Sequence, residues 1–174
     1  MSLSKETYLL DTNTLITPSR SYYSFNIAPR FWAFLQDEIV LGNLIVMDMV
    51  AEEISKGKDI LSNWLKTINV SPLDRRSSDI LICYGKILTH IQESDSYTDR
   101  ALALWAKDDH ADPWIVAAAA ARKFTIITFE KPSLSSLGNN KTSKPKIPDV
   151  CREFGVNCID IFSFLEIKNF SFPI

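Results

Sequence analysis

The sequence predicts one α/β domain over residues 1–174 with a parallel β-sheet, and two observations carry this prediction. Short apolar runs such as 7–10 and 125–128, typical of strands buried on both faces, alternate with helical patterns. The stretch 111–130 also contains a helix start, an alanine-rich helix, a turn and a buried strand in succession. A helix that feeds such a strand runs antiparallel to it, so the helix start and the strand end share one edge of the sheet. Ligands of open α/β sheets bind at that edge.

Strand and helix signals recur along the whole chain. The segment 59–107 carries three apolar stripes at helical spacing, broken at Pro72 and at 92–96, which predict a wholly helical insert without its own core. The polar segment 133–146 is punctuated by Gly and Pro, as is typical of a mobile loop. The predicted strands are 7–10, 44–47, 125–128 and 156–161. Helices are predicted to start at Pro29, Pro113, Pro148 and Phe162, and one more helix is predicted directly after Asp48, which would be its cap.

Composition restricts the classes of function. The net charge of −2 argues against binding nucleic acid by bulk positive charge, so a polyanionic ligand needs a local basic patch or a metal ion. No apolar run reaches membrane-spanning length, and Lys5 and Glu6 precede the first strand where a signal peptide would be apolar, so we expect a cytoplasmic protein. Cys83, Cys151 and Cys158 show no metal-binding spacing and are expected to be buried free thiols.

Four acidic residues are expected at one edge of the sheet. Asp11 ends the first strand and Glu130 follows the third. Asp112 is expected to be the N-cap of its helix, because its carboxylate can accept N–H bonds and Pro113 suits the first helical position. The fourth acid is Glu53, with Glu52 left open as its replacement, in the helix after the second strand.

Each of these acids alone also has an ordinary structural explanation. Asp11 could cap the next helical turn, and Glu52 and Glu53 are spaced to pair with Lys56 on a solvated helix face. Together, however, close carboxylates repel one another, and a hard divalent cation offsets that repulsion. Ligands that are all oxygen favour Mg²⁺ or Mn²⁺ over zinc. Two such ions about 4 Å apart can activate water for phosphodiester cleavage.

The segments that carry these acids resemble, in the same order, the acidic motifs of the PIN-domain ribonucleases, in particular the VapC-like toxins. The resembling segments are 8–16, 50–54, 112–119 and 128–130. The resemblance implies a three-layer α/β/α sandwich around a parallel sheet of about four to five strands. It also implies an endoribonuclease that holds Mg²⁺ or Mn²⁺, with RNA as substrate, an antitoxin protein as partner of the toxin, and a homodimer. Its catalytic residues and metal ligands would be Asp11, Glu53, Asp112 and Glu130.

The resemblance also implies roles for neighbouring side chains. Asn13 would orient Asp11, and Thr128 would hold an oxygen near the metal. The last motif of the family usually carries Asp where this chain has Glu130. A separate expectation comes from the sequence and not from the resemblance. Three lysines follow the end of the third strand, and we expect them to contact substrate phosphates: Lys141, Lys144 and Lys146.

Two other functions are weighed against the ribonuclease. The first is a non-catalytic PIN-like module that binds RNA or protein. The second is a haloacid-dehalogenase-like phosphatase, which also begins with a strand and an Asp, but the second Asp that it needs is replaced here by Asn13. The aromatic segment that contains Tyr22 and Tyr23 is expected to be core, with substrate stacking or dimer formation as open alternatives.

Overall fold

The computed structural model describes residues 6–133 and 140–172, in which a four-stranded, all-parallel sheet is combined with nine helices. The predicted α/β class is confirmed, and the arrangement is consistent with three α/β/α layers. The strands lie in the order β2-β1-β3-β4, so β1 and β3 are the inner strands. They are β1 (Tyr8–Leu10), β2 (Leu44–Ile45), β3 (Thr125–Ile127) and β4 (Cys158–Ile159).

The chain divides into two compact units. The first comprises Met1–Asp74, Ile127–Phe129 and Ile159–Ile174, and the second comprises Arg75–Ile126 and Glu130–Cys158. The predicted helical insert 59–107 therefore contributes residues to both units.

The first unit contains five helices among its described residues. They are α1 (Asn13–Arg20), α2 (Pro29–Val40), α3 (Asp48–Lys56), α4 (Ile60–Thr67) and α9 (Ile161–Ile167). Helix α2 begins at Pro29 as predicted, because the fixed φ of proline suits the first helical turn, and it buries Phe31, Trp32 and Leu35. All three residues of β1 are buried, as expected for an inner strand.

Two predictions about the first unit are wrong in detail. Asp48 is the first residue of α3 and Met47 is its N-cap, so the helix starts one residue earlier than predicted. The segment 59–107 breaks near Pro72 as predicted, but it is not wholly helical, because Leu73 forms a parallel bridge with Met47. The adjacent Pro72 explains this break, because proline lacks the N–H that a continuing helix needs.

The second unit is organised around a pair of packed helices. Its helices are α5 (Ser78–Glu93), α6 (Asp99–Trp105), α7 (Asp112–Arg122) and α8 (Ile147–Glu153). Helix α5 packs along α7, whose alanines at 117–119 are fully buried and permit close approach. The rings of Tyr84 and Trp114 stack across this contact with centroids 3.8 Å apart.

Part of the predicted mobile loop 133–146 is held in place. Thr142 accepts a hydrogen bond from the backbone N–H of Thr98 at 3.0 Å and donates one to the carbonyl of Ser96 at 2.9 Å. Backbone pairing with a neighbouring segment thus replaces the expected mobility around Thr142. Residues 134–139 of this loop, and Lys5, lie outside the described residues.

The structure describes all three cysteines, which were expected to be buried free thiols, and it also bears on membrane-spanning helices. The three cysteines are free thiols as predicted; Cys151 is buried, whereas Cys83 and Cys158 are half-buried. A hydrogen bond with Cys158, and then burial, raises the pKa of the Cys151 thiol, so this thiol stays protonated at neutral pH. Across 6–133 and 140–172, no helix is both long and apolar enough to cross a membrane.

Candidate functional site

Asp11 lies directly after β1 in the first unit, and its side chain is only 4% exposed. Its backbone N–H donates to the carbonyl of Ile127 at 3.0 Å, which ties it to the end of β3. The Thr128 hydroxyl donates to Asp11 Oδ2 at 2.9 Å. The structure therefore brings together Asp11 and Thr128, which the sequence analysis had placed at one edge of the sheet.

A second threonine fixes the backbone of the same turn. The Thr14 hydroxyl contacts the carbonyl oxygen of Asp11 and lies 3.0 Å from that of Ile127, and Thr14 is fully buried. Sequence reasoning assigned no role to Thr14. The available signal was the hydroxyl-rich turn at 11–14, because short polar side chains commonly bond to nearby backbone groups. Asn13 is exposed as the first residue of α1.

Glu53 lies on α3 and contacts the residue that follows Asp11. The Thr12 hydroxyl, on a side chain that is almost fully buried, donates to Glu53 Oε2 at 2.9 Å. Glu52 instead lines an apolar cavity of about 500 Å³ together with Ile39, Leu44 and Ile54. Of the two glutamates that the sequence left open, Glu53 is thus bonded to the residue that follows Asp11.

Asp112, in the second unit, is not the N-cap of α7. The cap is Ala111, whose carbonyl accepts from the N–H groups of Trp114 and Ile115 at 3.0 Å each. The helix thus begins at Asp112, one residue before the predicted start at Pro113, because the Ala111 backbone is already helical. Oδ2 of Asp112 lies 3.3 Å from Nε2 of His110.

Glu130 holds the start of α8 in the second unit. Its Oε1 accepts from Nζ of Lys146 at 2.6 Å, and its Oε2 accepts from the backbone N–H of Ile147 at 2.8 Å. Because α8 begins at Ile147, one carboxylate oxygen satisfies an N–H that the helix itself cannot pair. The role of Glu130 as a metal ligand stays a prediction, and a metal there would compete with both contacts.

The three lysines that were expected to bind phosphates differ in their surroundings. Lys146 pairs with Glu130 as described above, and Lys141 lies 3.3 Å from the exposed carboxylate of Asp95. Lys144 is exposed, and its backbone N–H donates to the Thr142 hydroxyl at 3.1 Å. A phosphate would therefore have to displace a carboxylate from Lys146.

A buried carboxylate that the sequence analysis missed lies in α8. Asp149 is fully buried, and its Oδ2 accepts from the backbone N–H of Ser133 at 2.8 Å and from the Ser133 hydroxyl at 3.0 Å. Arg152 lies 3.6 Å from its other oxygen. These contacts fix the chain after Glu130, and no local sequence signal marks them, because Ser133 and Asp149 are far apart in sequence.

The donors of the first unit fit a hard divalent cation. Asp11 and Glu53 supply carboxylate oxygens, and the hydroxyls of Thr12 and Thr128 orient one carboxylate each. Mg²⁺ is usually held in proteins by one or two carboxylates, with water and substrate phosphates completing the shell. In the part of the chain that the structure describes, no group of three or more His, Cys, Asp or Glu side chains is placed to hold a metal ion.

Comparison with known proteins identifies a family but no function. A family model described as "Domain of unknown function (DUF4411)" matches residues 8–172, which is nearly the whole chain. No curated protein and no solved structure matches this chain. The description of the family names no activity, so the resemblance to PIN-domain ribonucleases stays a prediction.

Proposed function

Because the chain belongs to the DUF4411 family, whose description gives no function, we propose an activity from the site itself. The protein is a Mg²⁺- or Mn²⁺-dependent endoribonuclease, and Asp11 and Glu53 are ligands of its metal ion. The observation that carries this proposal is that the carboxylates of Asp11 and Glu53 each accept a hydrogen bond from a threonine hydroxyl.

The position of the pair supports a ligand site. Asp11 follows β1 and Thr128 follows β3, which are adjacent inner strands of a parallel sheet. The carboxyl ends of such strands form the edge at which open α/β sheets bind ligands. Side chains that ligate metals are themselves commonly hydrogen-bonded, and this fixes their orientation. The bonds from Thr12 and Thr128 have that arrangement.

The chemistry of these residues suits the hydrolysis of a phosphodiester. A divalent ion, when bound, lowers the pKa of a coordinated water and neutralises charge on the phosphate. Asp11 is buried and held at both its backbone and its carboxylate, so it offers a fixed ligand. Glu53 is exposed and offers a ligand on the solvent side. Such a site also allows a chain of net charge −2 to bind an anionic substrate.

The substrate, the partner, the location and the homodimer are proposed on other grounds. The resemblance to VapC-like toxins supports RNA as the substrate and an antitoxin protein as the partner of a toxin. The free thiols support a cytoplasmic location, because reducing compartments keep cysteines unpaired. The homodimer stays a prediction from the resemblance.

Metal dependence is the first test. Millimolar Mn²⁺ or Mg²⁺ is expected to raise the Tm and to switch on cleavage of labelled RNA, because an ion that binds only the folded state stabilises it. The gain is about 2.7 kcal/mol at a hundred times the Kd. Differential scanning fluorimetry and an RNA cleavage assay, with and without chelator, measure the two effects. An unchanged Tm across the titration, together with intact RNA, would refute the proposal.

The choice between the adjacent glutamates is the second test. Glu53→Gln is expected to weaken Mn²⁺ binding and cleavage by more than the roughly ten- to hundredfold loss that follows removal of a ligand's hydrogen-bond partner, because the amide keeps the bond from Thr12 but loses the charge. Glu52→Gln is a matched control, since both side chains are exposed on the same turn of α3. Metal titration by calorimetry compares the two variants. If Glu52→Gln lost Mn²⁺ binding while Glu53→Gln kept it, Glu52 and not Glu53 would be the ligand.

A further inference from the structure

Three aromatic rings from separate segments of the first unit contact one another in series, and we call them the aromatic platform: Tyr22, Phe129 and Phe162. The ring centroids of Tyr22 and Phe162 are 5.7 Å apart, and those of Phe129 and Phe162 are 6.3 Å apart. Tyr22 is 37% exposed and Phe162 is 44% exposed. The three rings thus form one contiguous and partly exposed aromatic surface.

Backbone contacts connect this platform to the candidate site. Phe129 directly follows Thr128, whose hydroxyl bonds to Asp11. The backbone N–H of Thr128 also donates to the carbonyl of Ile159 at 2.9 Å, which ties β4 to the same place. Helix α9 begins shortly after Ile159 and carries Phe162 in its first turn. The platform is therefore positioned by the strands that position Asp11.

The start of α9 is held firmly. Asp160 is its N-cap, and its carboxylate accepts from the backbone N–H of Ser163 at 2.9 Å. A capped helix start restrains the backbone of Phe162. Tyr22 is braced from its other side by the ring of Tyr23, with centroids 5.0 Å apart. A surface with little freedom loses little entropy when a ligand stacks on it.

Core packing explains most aromatic residues of this unit but not the platform. Phe31, Trp32 and Phe164 are at most 2% exposed and serve the core. Single exposed apolar side chains are common on protein surfaces and need no explanation. Adjoining exposed rings at the edge of a candidate site are less common, and they are typical of ligand-binding surfaces.

We propose that the aromatic platform stacks an unpaired nucleobase of a single-stranded RNA whose backbone lies at the Asp11 carboxylate. This inference rests on the proposed function for its class of substrate. Bases of single-stranded RNA stack on Phe and Tyr side chains, whereas bases of a duplex are already stacked on one another. Stacking also needs no positive charge, which suits a chain of net charge −2. The platform thus selects single-stranded RNA.

The test is a binding measurement in chelator, so that no cleavage occurs. Phe162→Ala and Tyr22→Ala are each expected to weaken binding of a short, labelled oligoadenylate by about tenfold, the size of one base–aromatic stack. Binding of an abasic oligonucleotide of equal length is expected to stay unchanged. The slope of affinity against salt should also stay unchanged, because no phosphate contact is removed. Fluorescence anisotropy measures all of these affinities.

Phe172→Ala is the matched control. Phe172 is 42% exposed in the same unit, and its ring contacts Tyr23 and Phe170, outside the platform. The Phe172→Ala variant should bind oligoadenylate as the wild type does. The Phe162→Trp variant should keep the affinity that Phe162→Ala loses. Circular dichroism and the Tm of each variant establish that it is folded.

The platform would be overturned by equal losses in Phe162→Ala and Phe172→Ala, or by an equal loss for the abasic strand. It would also be overturned if the wild type did not bind oligoadenylate. The last is the result expected if these rings contact a protein instead. Failure of the proposed function is distinguishable, because it would appear as base-dependent binding without metal-dependent cleavage. Cleavage with unaltered binding in Phe162→Ala and Tyr22→Ala would overturn the platform alone.

Discussion

Asp11→Asn is expected to abolish metal-dependent cleavage of RNA while the protein stays folded. Asn has nearly the same shape as Asp, and its carbonyl can still accept the bond from the Thr128 hydroxyl. It lacks the negative charge that a hard divalent cation needs. Loss of a direct ligand should exceed the roughly ten- to hundredfold loss that is typical when only a hydrogen-bond partner of a ligand is removed. Cleavage rates and Mn²⁺ titrations measure the effect.

Stability separates this explanation from misfolding. Without metal, the free energy of unfolding of Asp11→Asn should equal or exceed that of the wild type, because a buried negative charge is removed. The increase in Tm with Mn²⁺ should disappear. Asp37→Asn is a suitable control, because Asp37 is an exposed acid on α2 in the same unit. Full Mn²⁺-dependent cleavage by folded Asp11→Asn would remove the central ligand of the proposal.

Asp112→Asn is expected to cause a loss of Mn²⁺ binding and cleavage together, if Asp112 is the ligand that the sequence predicts. The structural cost should be small, because Ala111, and not Asp112, is the N-cap of α7. What remains is the interaction of its charge with the helix dipole, worth at most about 1 kcal/mol. Denaturant unfolding without metal measures this cost, and calorimetry with Mn²⁺ measures the binding.

The structure also offers a purely local role for Asp112 beside His110. In that case Asp112→Asn should be folded and fully active, and the predicted ligand set would lose this member. Asp109→Asn provides the comparison, since Asp109 is an exposed acid close by in the same unit. It should leave both metal binding and cleavage unchanged.

Local signals predicted much of the fold. The short apolar run at 125–128 predicted β3, and Pro29 predicted the start of α2. The start of α7 was predicted one residue late, because both Asp112 and Ala111 can occupy the cap position. Hydrogen bonds to the Ala111 carbonyl decide between them, and they form only in the folded chain.

The candidate site was predictable in its acids but not in its contacts. Asp11 was predicted because it lies just after a strand. Glu53 was predicted because it lies in the first turns of the helix that follows the next strand. Their partners are distant in sequence: Thr12 and Glu53 are 41 residues apart, and Asp11 and Thr128 are 117 apart. No local pattern predicts such pairs, nor the bond from Lys146 to Glu130. They depend on how the strands are ordered in the sheet.

The separation between Asp11 and Thr128 has a consequence for the newly made protein. Asp11 is synthesised first, and the hydroxyl that orients its carboxylate is added 117 residues later. Long-range pairings of this kind form slowly, because a large loop must close before they are gained. During translation the ribosome therefore carries an Asp11 turn that lacks its partner until those 117 residues have been added. Assembly of this site is thus a late event in the folding of the nascent chain.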